Sequence, residues 1–124
     1  AHTHTAAGNP IGSDWQDVDD LTNTPTLTET SNILLVHYQI SFTFGAPGSG
    51  SFLCCRLMVD GNEETAARSI AGLGTYTYYG TSAGTWIGEV GAGSPEIKVQ
   101  CRNSHALNLH HDYMTKALTV AILG

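Results

Sequence analysis

Residues 32–44 read NILLVHYQISFTF. Val36, Tyr38, Ile40, Phe42 and Phe44 recur at every second position, with His37, Gln39, Ser41 and Thr43 between them. A period of two is that of a strand with one face on a core and one face outward. Working outward from this strand, residues 51–59 (SFLCCRLMV) form a second apolar run, and Asp60-Gly61 supplies the positive-φ pair of a tight hairpin turn. Residues 96–103 (EIKVQCRN) alternate again, with Ile97, Val99 and Cys101 opposite Lys98, Gln100 and Arg102. Residues 106–110 place Leu107 and Leu109 on one side, and weaker strands are predicted over 21–28, 74–79 and 85–90. Residues 63–70 tolerate a helix but suit a strand equally. Short strands between Gly, Asn and Pro clusters at this spacing predict an all-β antiparallel sandwich or barrel.

The last predicted strand, 117–123, is different. Leu118, Val120 and Ile122 face one way, and Ala117, Ala121 and Leu123 the other, so both faces are apolar or small. Antiparallel sandwiches usually leave one face to water, which points to a second subunit over this one, with a central strand capped by loops of the same chain as the alternative.

At 124 residues the chain suits a single domain. Residues 1–13 (AHTHTAAGNPIGS) are small, polar and broken by Gly8, Pro10 and Gly12, and read as an extended arm or linker end before a domain at 14–124. With 41% hydrophobic and 13% charged residues, neither a disordered tail nor a coiled coil is expected. A net charge of −6 with no basic tract argues against nucleic acid, and no apolar run approaches the roughly 20 residues of a membrane span. Cys54 and Cys55 are adjacent and so point to opposite faces of a strand. The three cysteines read as buried thiols, with a bridge from one of that pair to Cys101 as the alternative.

In this order the segments resemble the tumour-necrosis-factor-like jelly roll, the trimeric fold of complement-type heads, bacterial fucose lectins and some phage fibre tips. The residues that carry the resemblance are WQDV (Trp15 to Val18), the NILLVHYQISFTF strand, the LMVDG hairpin, the IKVQCR strand and the closing DYMTKALTVAILG. What it implies is an all-β, antiparallel jelly-roll sandwich assembled as a homotrimer, with the C-terminal strand near the threefold axis.

Catalytic patterns are lacking: there is no Gly-x-Ser-x-Gly elbow and no Walker-type loop, so no enzyme is expected. Asp14, Asp17, Asp19 and Asp20 read as a solvated acidic loop, with calcium as the sharper alternative. His2 and His4 form an H-x-H pair that resembles those of phage fibres. Three copies would supply six imidazoles for iron, nickel or zinc. His105, His110 and His111 read as loop or surface histidines. Tyr76, Tyr78 and Tyr79, closed by Trp86, join rings to small polar residues in the manner of a recognition surface. Resemblance to the bacterial lectins adds Arg102 and Asp112 as hydrogen-bonding partners for sugar hydroxyls, with an Arg102–Asp112 pair as the alternative. The expected function is a lectin-like, receptor-binding domain at an extracellular or virion-surface fibre tip, whose partner is a cell-surface glycan or receptor. The competing expectation is a structural trimerisation knob or virion decoration domain.

Overall fold

A computed structural model describes residues 2–6, 14–43, 51–73, 79–103 and 114–124. These residues form eight strands: β1 (His2–Ala6), β2 (Gln16–Asn23), β3 (Asn32–Thr43), β4 (Ser51–Val59), β5 (Asn62–Leu73), β6 (Tyr79–Val90), β7 (Ile97–Asn103) and β8 (Met114–Ile122). Two four-stranded sheets result, ordered β1-β8-β3-β6 (sheet A) and β2-β7-β4-β5 (sheet B), and every pairing is antiparallel. Strands distant in sequence are neighbours in each sheet, which is the double Greek-key winding of a jelly roll.

The period-two strands behave as their patterns demand. Leu34, Val36, Tyr38 and Ile40 of β3 face Leu53, Cys55, Leu57 and Val59 of β4 and Ile97, Val99 and Cys101 of β7 in one core. Burying each large side chain of this kind stabilises the fold by about 1.5–3 kcal/mol. Asp60 (φ 52°) and Gly61 (φ 84°) make the β4–β5 turn, so the Asp-Gly pair acts as expected. Tyr38 spans the sandwich: its hydroxyl donates to the Ala67 carbonyl on β5 at 2.5 Å and meets Ser69 Oγ at 2.9 Å, and Ser69 meets Ser82 of β6 at 2.6 Å. This buried polar chain ties sheet A to sheet B, and burial pushes the Tyr38 phenol well up.

Several boundaries differ from the expected ones. Residues 63–70 are strand, because the hairpin pairs Glu63 and Glu64 with Met58 and Leu57. The strand predicted at 21–28 begins earlier, as β2, and three of the four aspartates of the supposed acidic loop lie within it. A register shift between Asp17 and Thr22 accommodates this polar strand against β7. His2–Ala6 of the N-terminal arm pair with Met114–Leu118 as an edge strand of sheet A. The strand predicted at 106–110 and His105, His110 and His111 lie outside the described residues.

Cys54 and Cys55 point to opposite faces, as strand geometry requires. Cys55 meets Cys101 in the core with the sulfurs 2.7 Å apart, and all three cysteines are free thiols. Burial, with the Cys55 thiol beside it, pushes Cys101 well above the ordinary thiol range, and burial also raises Cys54. All three thiols are buried from reagent, and the raised Cys54 and Cys101 further disfavour the reactive thiolate, so alkylation near neutral pH is expected to spare all three in folded protein. Denatured protein should take three labels by mass spectrometry. A single label there would mean that Cys55 and Cys101 are joined.

Candidate functional site

Alternation along β4, β5 and β7 turns their polar residues away from the core, onto the outer face of sheet B. Arg56 of β4, Arg68 of β5 and Arg102 of β7 emerge there, and all three converge on the ring of Trp15, just before β2. Their guanidinium carbons lie 4.2, 5.6 and 4.9 Å from the ring centre, within cation–π range. These are all the arginines of the chain.

Carboxylates answer two of the three cations. Glu63 takes Arg68 through both its oxygens (2.6 and 2.9 Å) and Arg56 at 3.2 Å. Arg68 is the larger cause of a Glu63 carboxyl held below the usual range. Arg56 also donates to Gln100 Oε1 at 2.9 and 2.7 Å, and Gln100 in turn donates to Asp17 at 2.8 Å. Lys98 pairs with Asp17 at 3.2 Å and Glu96 at 3.5 Å. Asp17 is held low, chiefly by the Gln100 hydrogen bond. It thus serves an ion pair on a strand and not an acidic loop.

Arg102 is different. It has no ion pair among the described residues, and its buried Nε has no hydrogen-bond partner there. The Trp15 ring and the Cys54 thiol hold it, and that contact pulls the Cys54 pKa part of the way back down. Among the described residues, Glu63 is the one carboxylate ion-paired to these three arginines, within a chain of net charge −6.

The residues expected to form the binding surface do not all meet here. Trp86 sits on β6 in register with Val36; it is half-buried, packs against the core and lies over Gly88. Alternation along β6 turns Trp86 towards the core, whereas Arg102 faces out from sheet B, so these two expected site residues stand on different faces. Tyr79 begins β6, paired with Thr43 in sheet A. Tyr76, Tyr78 and Asp112 lie outside the described residues. His2 and His4 are in register with Leu118 and Lys116. Among the described residues of one chain, no three His, Cys, Asp or Glu side chains are grouped to hold a metal. No sequence motif marks Trp15, Arg56 and Arg68 as site residues. The available signal was the presence of Arg56 and Arg102 at outward positions of patterned strands.

The second notable surface is the outer face of sheet A. Rows across β6, β3 and β8 read Ile87–Leu35–Ala121, Thr85–His37–Thr119 and Ala83–Gln39–Ala117. Ile33 and Leu123, joined by a backbone hydrogen bond of 2.7 Å, extend the apolar end. Ile87 is 62% exposed and Leu123 57% exposed. None of these rows contains a formally charged residue; Glu89 stands beyond them, opposite Ile33.

No family model matches the chain, and no curated protein matches it. Among solved structures it is similar to the EclA C-terminal domain, a sugar-binding protein, at 13% identity and TM-score 0.47, over 98% of this chain and 79% of that one. It is also similar to murine APRIL at 18% identity and TM-score 0.49, over 94% of this chain and 98% of that one. Eiger TNF from S. frugiperda aligns at 13% identity and TM-score 0.47, over 98% of this chain and 92% of that one. No described helix is long and apolar enough to cross a membrane. By its own strand order the chain is an antiparallel jelly roll, and TNF-type domains are among the structures it is similar to.

Proposed function

We propose that this chain is a non-enzymatic binding domain that works as a homotrimer and presents a cell-surface glycan site at an extracellular or virion-surface fibre tip. The observation that carries the proposal is the outer face of sheet A. Three strands there present Ile, Leu, Ala, Thr, Gln and a single His across successive rows, without a formal charge. A monomer would leave Ile87 and Leu123 in water. Closed cyclic assembly of identical chains covers such a face without leaving it open to fibres.

With sheet A inward, sheet B faces outward and its Trp15–arginine corner stays open to a ligand. A divalent metal shared by six imidazoles is part of the same reading, and would require assembly to bring the His2–Thr3–His4 edges of three chains together.

Two measurements test the reading. Light scattering behind size exclusion should give three times the 13.1 kDa chain mass at micromolar concentration. An array of mammalian and bacterial glycans should show selective binding by the folded protein. A monomer mass refutes the assembly. A trimer that is silent across the array, shown to be folded, favours the structural knob.

A further inference from the structure

We infer that Trp15, Arg56, Arg68 and Arg102 form a site for the anionic group of an acidic saccharide, a sugar carrying a carboxylate or sulfate. The inference rests on the glycan-binding reading above and specifies its ligand class. Each arginine comes from a different strand of sheet B, and all three are drawn to one indole. Surface arginines of an acidic chain would more simply spread out among its eleven carboxylates. Here Arg102 has no carboxylate among the described residues, and Glu63 alone serves the other two. A guanidinium presents a planar fork of donors that matches a carboxylate or sulfate, and Trp15 pre-orders the forks by stacking. Arg68 is 43% exposed on its side chain, so an incoming anion can reach the cluster.

The surroundings favour a single anionic group over a polyanion. Asp17, Glu96 and Glu63 border the arginines on the same face. A nucleic acid or long polyanion would have to lie across them on a chain of net charge −6. A sugar with one charge meets the excess cation and leaves its hydroxyls to neighbouring polar groups such as the Gln100 amide.

The test is a titration of ¹⁵N-labelled protein with glucuronic acid, N-acetylneuraminic acid and a sulfated galactose, beside neutral galactose and fucose. The three arginine Nε–H signals and the Trp15 indole signal report on the site. Acidic saccharides should shift the Arg102 and Trp15 signals, with affinity falling as salt rises. Arg102→Gln should weaken binding by about tenfold or more, the ratio carried by one charge-assisted hydrogen bond. Should that variant fail to fold, Arg68→Gln, at a more exposed position, is expected to weaken binding in the same direction. If a neutral saccharide binds while acidic ones leave these signals unmoved, the anionic site is overturned and the glycan reading stands. If neither kind binds at millimolar concentration and the array is silent, both are overturned.

Discussion

Replacing Gly84 by alanine is expected to destabilise the domain by about 3 kcal/mol and to lower Tm by about 10 °C. A Cβ at Gly84 would stand 2.3 Å from the Ala67 carbonyl oxygen and 2.6–2.7 Å from two ring carbons of Tyr38. Neither neighbour can swing aside. The carbonyl belongs to the backbone of β5 and accepts the Tyr38 hydroxyl, and the ring is fully buried between the sheets. Making room therefore means separating β5 from β6 or breaking the Tyr38–Ala67–Ser69 connection, and a buried acceptor left unpaired adds its own cost of about 1–3 kcal/mol. Gly91→Ala is the matched control, since its new Cβ would meet only the Thr30 carbonyl at 3.8 Å. Urea denaturation of both variants checks this. A Gly84→Ala protein as stable as its parent would show that Tyr38 does not hold the two sheets in the way described.

The same glycine shows why part of the fold could be read and part could not. β3, β4 and β7 announce themselves because large apolar residues fall at every second position, and burial of one face produces that pattern. β6 does not, since its inward positions are Ser82, Gly84, Trp86 and Gly88, small wherever Tyr38 or Trp86 fills the space from beside them. Only its end, 85–90, was expected as strand. β1 and β2 are rich in Thr, His and Asp, and take their conformation from β8 and β7 rather than from any alternation of their own.

The site follows the same logic. Arg102 was accessible from the polar phase of IKVQCR, but its meeting with Arg56, Arg68 and Trp15 depends on sheet B running β2-β7-β4-β5. Neighbours so far apart in the chain leave no local mark in the sequence. Trp86 shows the opposite case: a ring amid Gly, Thr and Ser reads as a recognition element, yet Gly88 leaves the space in which that ring packs against the core.

The apolar outer face of sheet A leads to the other large expected effect. On the trimer proposed above, Leu35→Asp should give a monomer at micromolar concentration, weakening association by more than about a thousandfold. Leu35 is half-buried on that face, in register with Ile87 on one side and Ala121 on the other. Desolvating one carboxylate with no cation beside it costs several kcal/mol, and each 1.4 kcal/mol is a factor of ten in the constant. In the proposed trimer, threefold closure would repeat that cost in every chain and bring three like charges towards one axis. The fold itself should survive, because Leu35 lies outside the core that Leu34 and Val36 occupy. Its circular dichroism and urea midpoint therefore separate loss of assembly from loss of structure. Ile70→Asp provides the counterpart: Ile70 is 64% exposed on sheet B, paired with Cys54, and its substitution should leave the mass unchanged. If Leu35→Asp still sediments as a trimer, sheet A is not the interface and the subunits must meet elsewhere. If Ile70→Asp is the variant that dissociates, sheet B is the buried sheet, and the Trp15–arginine corner belongs to the interface instead of to a ligand.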